Sequence, residues 1–415
     1  MAAPRLNVDV LAIVCEFLTD VSDVLSIALT CSSVHLVAVG WLLRMRPVYL
    51  KSDPSIRRFH SFLFADAPAR APHVCALDIN LRWPIDDCSL LVEIFASCQH
   101  LKHLTVAFEQ ASLHIIMDPR FIHAITTIPN LRSFSLHSQS TNALGLLPRL
   151  VCTPLRKVGI HCGNVDVSAR FPSALELSLP RILVPTLEKL ELDRFAVDSH
   201  DPQAPPNLPL SSVFGMSVFD MTPYPAVRSL SVGSFKGRPL LDHLQHLFPA
   251  VDGTLHVGGL DIRSGEDTYA DIRAANQHTQ ESDGDGSALR TWKKLDRIVC
   301  DAAMFYVLGL RCPIRLAMIH CGAVEKHRFA ADALRENPVP RLKLTLYHES
   351  GMFDGFFSPE LEGALTHLTL CLLYSNDYGY TPPHPSQSDA NTAAAPPLRW
   401  DDVLVSYYVS RVSCD

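Results

Sequence analysis

The sequence lacks the marks of several function classes. Its twelve cysteines are scattered with no Cys-x-x-Cys pair, and no Asn-x-Ser/Thr acceptor site occurs. Neither a disulfide framework nor a glycosylated surface is expected, which fits a reducing compartment, cytoplasmic or nuclear. No stretch reaches about eighteen uninterrupted apolar residues, and Asp9, Glu16, Asp20 and Asp23 interrupt the N-terminal region where a signal peptide would be apolar. No membrane partner is expected. Basic runs are missing too. With 36 Lys and Arg against 43 Asp and Glu the net charge is −7, which gives no electrostatic reason to expect nucleic acid.

Signatures of chemistry are equally scarce. There is no Gly-x-x-x-x-Gly-Lys-Ser/Thr phosphate loop, no Gly-x-Gly-x-x-Gly, no His-Glu-x-x-His and no Gly-x-Ser-x-Gly elbow. Asp86-Asp87 and Asp401-Asp402 are paired only along the chain, and adjacent side chains diverge on a helix or strand. His161-Cys162-Gly163 and His320-Cys321-Gly322 look alike, but each follows an apolar strand phrase in a different part of the chain, so shared register explains them better than joint metal ligation. No catalytic residue, metal set or cofactor is expected.

What is present is a globular composition, 47% apolar and 19% charged, and two kinds of pattern. The first lies at the N-terminus. Val10, Leu11, Val14, Phe17 and Leu18 follow helix spacing. A second helix is expected from a Ser22 cap, carrying Val24, Leu25, Ala28 and Leu29 inward, and a third from Cys31-Ser32-Ser33, with Val34, Val37, Ala38, Trp41 and Leu42, until Pro47 stops it. About forty residues cannot bury such stripes alone, so something must cover them.

The second pattern is a recurring phrase in which an apolar residue precedes a second by three positions and a third by five. Its copies are Val74-Leu77-Ile79, Leu101-Leu104-Val106, Leu131-Phe134-Leu136, Leu155-Val158-Ile160, Leu187-Leu190-Leu192, Val227-Leu230-Val232, Ile314-Ala317-Ile319 and Leu365-Leu368-Leu370, with weaker versions at Trp292-Leu295 and Leu344-Leu346. The alternation is that of a strand with one buried face, and the segments between copies, such as Leu90-Leu91-Ile94-Phe95 and Asp118-Pro119 with Phe121-Ile122-Ile125, have helix spacing and caps. Their spacing is near that of leucine-rich repeats.

The first pattern resembles the F-box family in its fungal form, through Leu6-Asn7-Val8-Asp9-Val10-Leu11, Val14, Phe17-Leu18, Asp23-Val24-Leu25 and Ala28-Leu29-Thr30-Cys31. The second resembles the leucine-rich repeats found C-terminal to fungal F-boxes. In place of the usual Asn or Cys after the strand stand Glu109, Gln139, Gly163, Phe195 and Phe235. The resemblance implies a Skp-type adaptor held by Leu6, Val10, Leu11, Val14, Phe17, Leu18, Leu25, Leu29, Cys31 and Val34, and through it a cullin-RING ubiquitin ligase. The expected fold is α/β: a three-helix F-box at 5–50, a connecting helix and linker at 51–72, and an irregular leucine-rich-repeat-like solenoid at 73–374. Loop insertions are expected at 198–212 and 263–287, a disordered loop at 375–399 and a closing segment at 400–415.

If each phrase buries its apolar residues, those between them line the open, concave side. That places His103, Thr105, Ser133, Ser135, His137, Lys157, His161, Lys189, Glu191, Asp193, Met318, His320, Lys343 and Tyr347 where a protein substrate would bind. The expected function is substrate recognition for a ubiquitin ligase. A non-catalytic scaffold outside a ligase, or an enzyme with an unrecognised site, are the alternatives.

Overall fold

The first helix, α1 (Val8–Phe17), starts where the Asn7 side chain accepts a hydrogen bond from the Asp9 N–H at 3.1 Å. A second, α2 (Val21–Ala28), is capped by Asp20, whose carboxylate accepts from the Ser22 N–H at 2.8 Å, so the cap lies two residues before the expected Ser22. The third, α3 (Ser32–Met45), ends just before Pro47. In the computed structural model the described residues are 7–30, 32–81, 87–109, 114–115, 118–138, 146, 149–150, 155–162, 183–196, 222–236, 238–261, 267–281, 292–322, 327–347, 353 and 356–373. They fall into two compact units, residues 1–194 with 224–226, and 195–223 with 227–415.

The first unit joins the three helices to a stack of parallel strands. These are β1 (Val48–Leu50), β2 (Ala76–Leu81), β3 (His103–Phe108), β4 (Ser133–Ser138), β5 (Lys157–Cys162) and β6 (Lys189–Ala196), neighbours in chain order. Register runs straight through Leu50, Ile79, Val106, Leu136, Ile160 and Leu192, all buried. A parallel row passes through Leu77, Leu104, Phe134, Val158 and Leu190. Two apolar ladders thus carry the repeat, each rung burying a side chain worth roughly 1.5–3 kcal/mol.

Helices cover the ladders from one side. In α4 (Asp53–Phe64), Ile56, Phe59 and Leu63 are buried, as their shared face predicts. The helix α6 (Ser89–Ser97) buries Leu91, Ile94 and Phe95, and α7 (Pro119–Thr126) opens with the Asp118 carboxylate accepting from the Arg120 N–H, then buries Phe121, Ile122 and Ile125. Two expected boundaries move. Because β1 pairs with β2, the stack begins at Val48, inside the segment assigned to the helical domain. The 51–72 linker is structured too: after α4 come α5 (Ala67–Arg70) and a 3-10 turn (Ala71–His73) that buries Ala71.

The second unit repeats the plan. Strands β7 (Ser229–Lys236), β8 (Thr254–Asp261), β9 (Leu295–Asp301), β10 (Ile314–Cys321), β11 (Arg341–Tyr347) and β12 (His367–Leu373) are parallel neighbours in chain order. One ladder runs through Leu230, Leu255, Ile298, Ala317, Leu342 and Leu368, the next through Val232, Val257, Cys300, Ile319, Leu344 and Leu370. The helices are α8 (Leu241–Leu247), α9 (Asp267–Glu281), α10 (Ala302–Leu308), α11 (His327–Glu336) and α12 (Pro359–Ala364).

The helix α9 overturns the loop expected at 263–287. Its sequence is polar because its buried groups hold backbone rather than fill a core. Asn276 accepts from the Leu241 N–H at 2.8 Å and donates to the carbonyls of Pro239 and Val307 at 3.0 and 2.9 Å. Gln280 donates to the Gly309 carbonyl and accepts from the Arg311 N–H. The expectations for 198–212, 375–399 and 400–415 lie outside the described residues.

Candidate interaction surfaces

The three N-terminal helices close on a small core of Cys15, Val24, Ala28 and Ala38, with Leu18, Ile27, Val37, Trp41 and Leu42 against it. What they leave outside is unusual. The exposed large hydrophobic side chains among the described residues are Val10, Ile13, Val14, Phe17, Leu25, Leu29, Leu36, Tyr49 and Phe64; six of these nine sit on α1, α2 and α3, and Leu29 directly follows α2. Phe17 is 80% exposed and Leu29 83%. An isolated apolar side chain at a surface is ordinary, but here they are concentrated on one short segment.

Of the residues assigned to an adaptor, Val10, Val14, Phe17, Leu25 and Leu29 are exposed, Leu11 is half-buried and Leu18 packs into the trio. Two corrections follow. Leu25 and Leu29, expected to point inward, face water, because Val24 and Ala28 take the core positions of α2. Val34 is buried and cannot meet a partner directly. Leu6 and Cys31 lie outside the described residues. Ile13 and Leu36, which sequence reasoning passed over, join the exposed set. Periodicity identifies an apolar stripe without saying which of two stripes on a short helix is covered.

On the open side of the first unit the residues between the ladders fall into rows. His103, Ser133, Lys157 and Lys189 are in register, and so are Thr105, Ser135, Gly159 and Glu191. His137 and His161 pair in the next row, their rings stacked at 4.1 Å and 10°. Lys157 and Lys189 both reach Glu191, at 3.1 and 3.0 Å. Burial pushes the Glu191 carboxyl up, but the hydrogen bonds from Lys189 and Lys157 outweigh it and leave it below the usual range. Burial, followed by the neighbouring His161 ring, pushes His137 down to about 4. His137 is therefore neutral near pH 7.

Gly159 makes the convergence possible. A Cβ there would sit 2.8 Å from Ser135 Oγ, 3.3 Å from His161 Nε2 and 3.4 Å from Glu191 Oε2. Three polar side chains from adjacent strands thus meet over a residue with none of its own, a feature invisible to pattern reading. No hydrogen bond links Ser135 to either ring among the described residues. Nor does any group of three or more His, Cys, Asp or Glu side chains among the described residues stand close enough to hold a metal. Asp193 follows on the same strand face as Glu191.

In the second unit, Met318 stands in register with Val299 and Lys343, and His320 with Asp301 and Thr345; Tyr347 is the last residue of β11. Ser231 and His256 are joined at 3.0 Å. This face carries more apolar surface than its counterpart, since Val299, Leu316 and Met318 are half-exposed neighbours. No helix among the described residues is long and apolar enough to cross a membrane. No protein-family model matches this sequence, and comparison with curated proteins finds no match.

Proposed function

We propose that this chain is a non-catalytic substrate-recognition subunit of an SCF-type, cullin-RING ubiquitin ligase, working in the cytoplasm or nucleus. Its N-terminal helices are an F-box that docks on a Skp-type adaptor, and the repeats behind them present a protein substrate through their open faces. The observation that carries this reading is the apolar surface of α1 and α2, where Val10, Val14, Phe17, Leu25 and Leu29 are exposed although the helices have a core of their own. Each such side chain buried by a partner contributes roughly 1.5–3 kcal/mol, enough for a few anchors to dominate an interface. The contribution to catalysis is proximity: a tethered substrate meets the ubiquitin carrier at raised effective concentration.

Co-purification of the full chain with a Skp-type adaptor tests this. The wild type is expected to bring the adaptor down stoichiometrically, and Phe17→Asp with Leu29→Asp to abolish that. Absence of binding by the wild type, or binding that survives both substitutions, removes the reading.

A further inference from the structure

Beside α3 and the feet of β2 and β3 lies a cleft of about 490 Å³, lined by Arg44, His100, Lys102 and His103 together with Cys75 and Ala76. Its volume lies within the size range of ligand-binding clefts. Two of the lining side chains, Arg44 and Lys102, are cations and two, His100 and His103, are imidazoles that can donate hydrogen bonds; no lining residue is acidic, and none of the four has a carboxylate partner among the described residues. The positive field reaches the rings nearby. Burial, then Lys102, Lys157 and Arg132, lowers the pKa of His103; burial, then Arg44 and His100, lowers that of His73.

The rest of the same edge is arranged differently. The N–H of Arg132 bonds the Lys102 carbonyl, that of Arg156 the Arg132 carbonyl, and that of Glu188 the Arg156 carbonyl, so these residues occupy equivalent places on successive repeats. At the far end the cations are answered: Arg156 by Glu188 at 3.3 Å, Lys157 and Lys189 by Glu191. At the cleft end, Arg44, Lys102 and Arg132 have no carboxylate partner among the described residues, in a chain whose net charge is −7. An unneutralised cationic recess in an acidic protein is complementary to an anion that comes from outside.

We propose that this cleft is an anion site that receives a phosphorylated side chain of a protein partner. A phosphate group carries close to two negative charges and three acceptor oxygens, and converging guanidinium, ammonium and imidazole donors are the chemistry that meets it. A polypeptide fits better than nucleic acid. No Phe, Tyr or Trp lines the cleft to stack a base, and the cations form one recess rather than a long track. The site stands independently of the adaptor reading, since it uses none of the exposed apolar side chains of α1 and α2.

Fluorescence anisotropy of the full chain tests it, with a short labelled acidic peptide carrying one phosphoserine, its unphosphorylated twin, and a labelled oligouridylate. The phosphopeptide is expected to bind at least about tenfold more tightly than its twin and to be displaced by inorganic phosphate. Arg44→Glu and Lys102→Glu should each weaken it about tenfold or more. Lys294→Glu, the same charge change on the second unit, should leave it unchanged. Lys102→Gln serves if a reversed charge perturbs folding, as judged by circular dichroism. The proposal is overturned if phosphorylation brings no gain, if Lys294→Glu weakens binding as much as Lys102→Glu, if the oligouridylate binds more tightly than the phosphopeptide, or if inorganic phosphate binds at the cleft while the phosphopeptide does not.

Discussion

The imidazole of His73 lies so close to Gly40 that a methyl group placed on that glycine would sit 2.8 Å from Cδ2 and 3.0 Å from Nε2. Here α3 meets the 3-10 turn that leads into β2, and the absence of a side chain sets how closely the helical trio approaches the first strands. Gly40 is itself buried, in the middle of a helix where glycine is intrinsically unfavourable by roughly 0.5–1 kcal/mol. That cost is accepted for the contact.

Gly40→Val should therefore destabilise the chain by about 2–3 kcal/mol through overpacking, read as a shift in the urea midpoint. His73→Ala in the same background should restore much of the loss, because the two residues share one contact. Strictly additive effects would show that the contact does not set the stability.

Asn276 offers a sharper test of the second unit. Its amide satisfies three backbone groups from two separate segments at nearly complete burial. Asn276→Leu should cost about 3 kcal/mol or more, since one N–H and two carbonyls lose partners in a dry site. Asn276→Asp should be at least as harmful, because a carboxylate cannot donate to either carbonyl. Hydrogen exchange at Leu241 and calorimetric unfolding are the measurements; an Asp variant of native stability would contradict the assignment.

The His137 ring sets a pH dependence. In the folded chain its pKa is about 4, against 6.5 for an unperturbed ring. Between those values the unfolded chain binds a proton that the folded chain refuses, so stability is full above about pH 6.5 and falls as the pH drops through that window. His73 and His103 are shifted in the same direction. Because His137 is partly open to water, its own share is discounted to about 1 kcal/mol. Chemical denaturation at pH 7 and pH 5 should show a smaller difference for His137→Gln than for the wild type. An unchanged difference would mean the ring is not the titrating group.

On the helical trio, exposure and burial separate two classes of substitution. Phe17→Ser and Leu29→Ser should change the thermal midpoint of the isolated chain little, within about 0.5 kcal/mol, as surface positions do. Val24→Asp, at a fully buried site, should cost about 3 kcal/mol or more by burying an unpaired charge. If Phe17→Ser destabilises the free chain as much as Val24→Asp, the face is not open.

Much of the fold can be read from the residue pattern because each repeat is local: three apolar positions, a turn and a helix suffice to place Leu104, Phe134 or Leu230. The losses have physical causes. Between Val251 and Leu255 the spacing is one residue longer than in other repeats, and so β8 escaped the phrase. In β9 the buried trio is Leu295, Ile298 and Cys300, and a thiol is easily passed over as an apolar rung. In α9, Asn276 and Gln280 made a helix with a buried polar face look like a solvated loop. The candidate surfaces were less legible. Alternation gave the open face of β3 to β6, but the meeting of Ser135, His161 and Glu191 over Gly159 depends on register between strands far apart in the chain. Likewise Arg44 and Lys102 share a cleft only once β1 has paired with β2.

The uncovered oily flank of α1 and α2 has a cost when the protein is alone. Greasy side chains presented to water attract any similar surface nearby, so a preparation of this polypeptide without the adaptor proposed for it should cling to itself and to chaperones. Making both together should keep it dispersed, which would tie the amount of one polypeptide a cell can hold to the supply of the other.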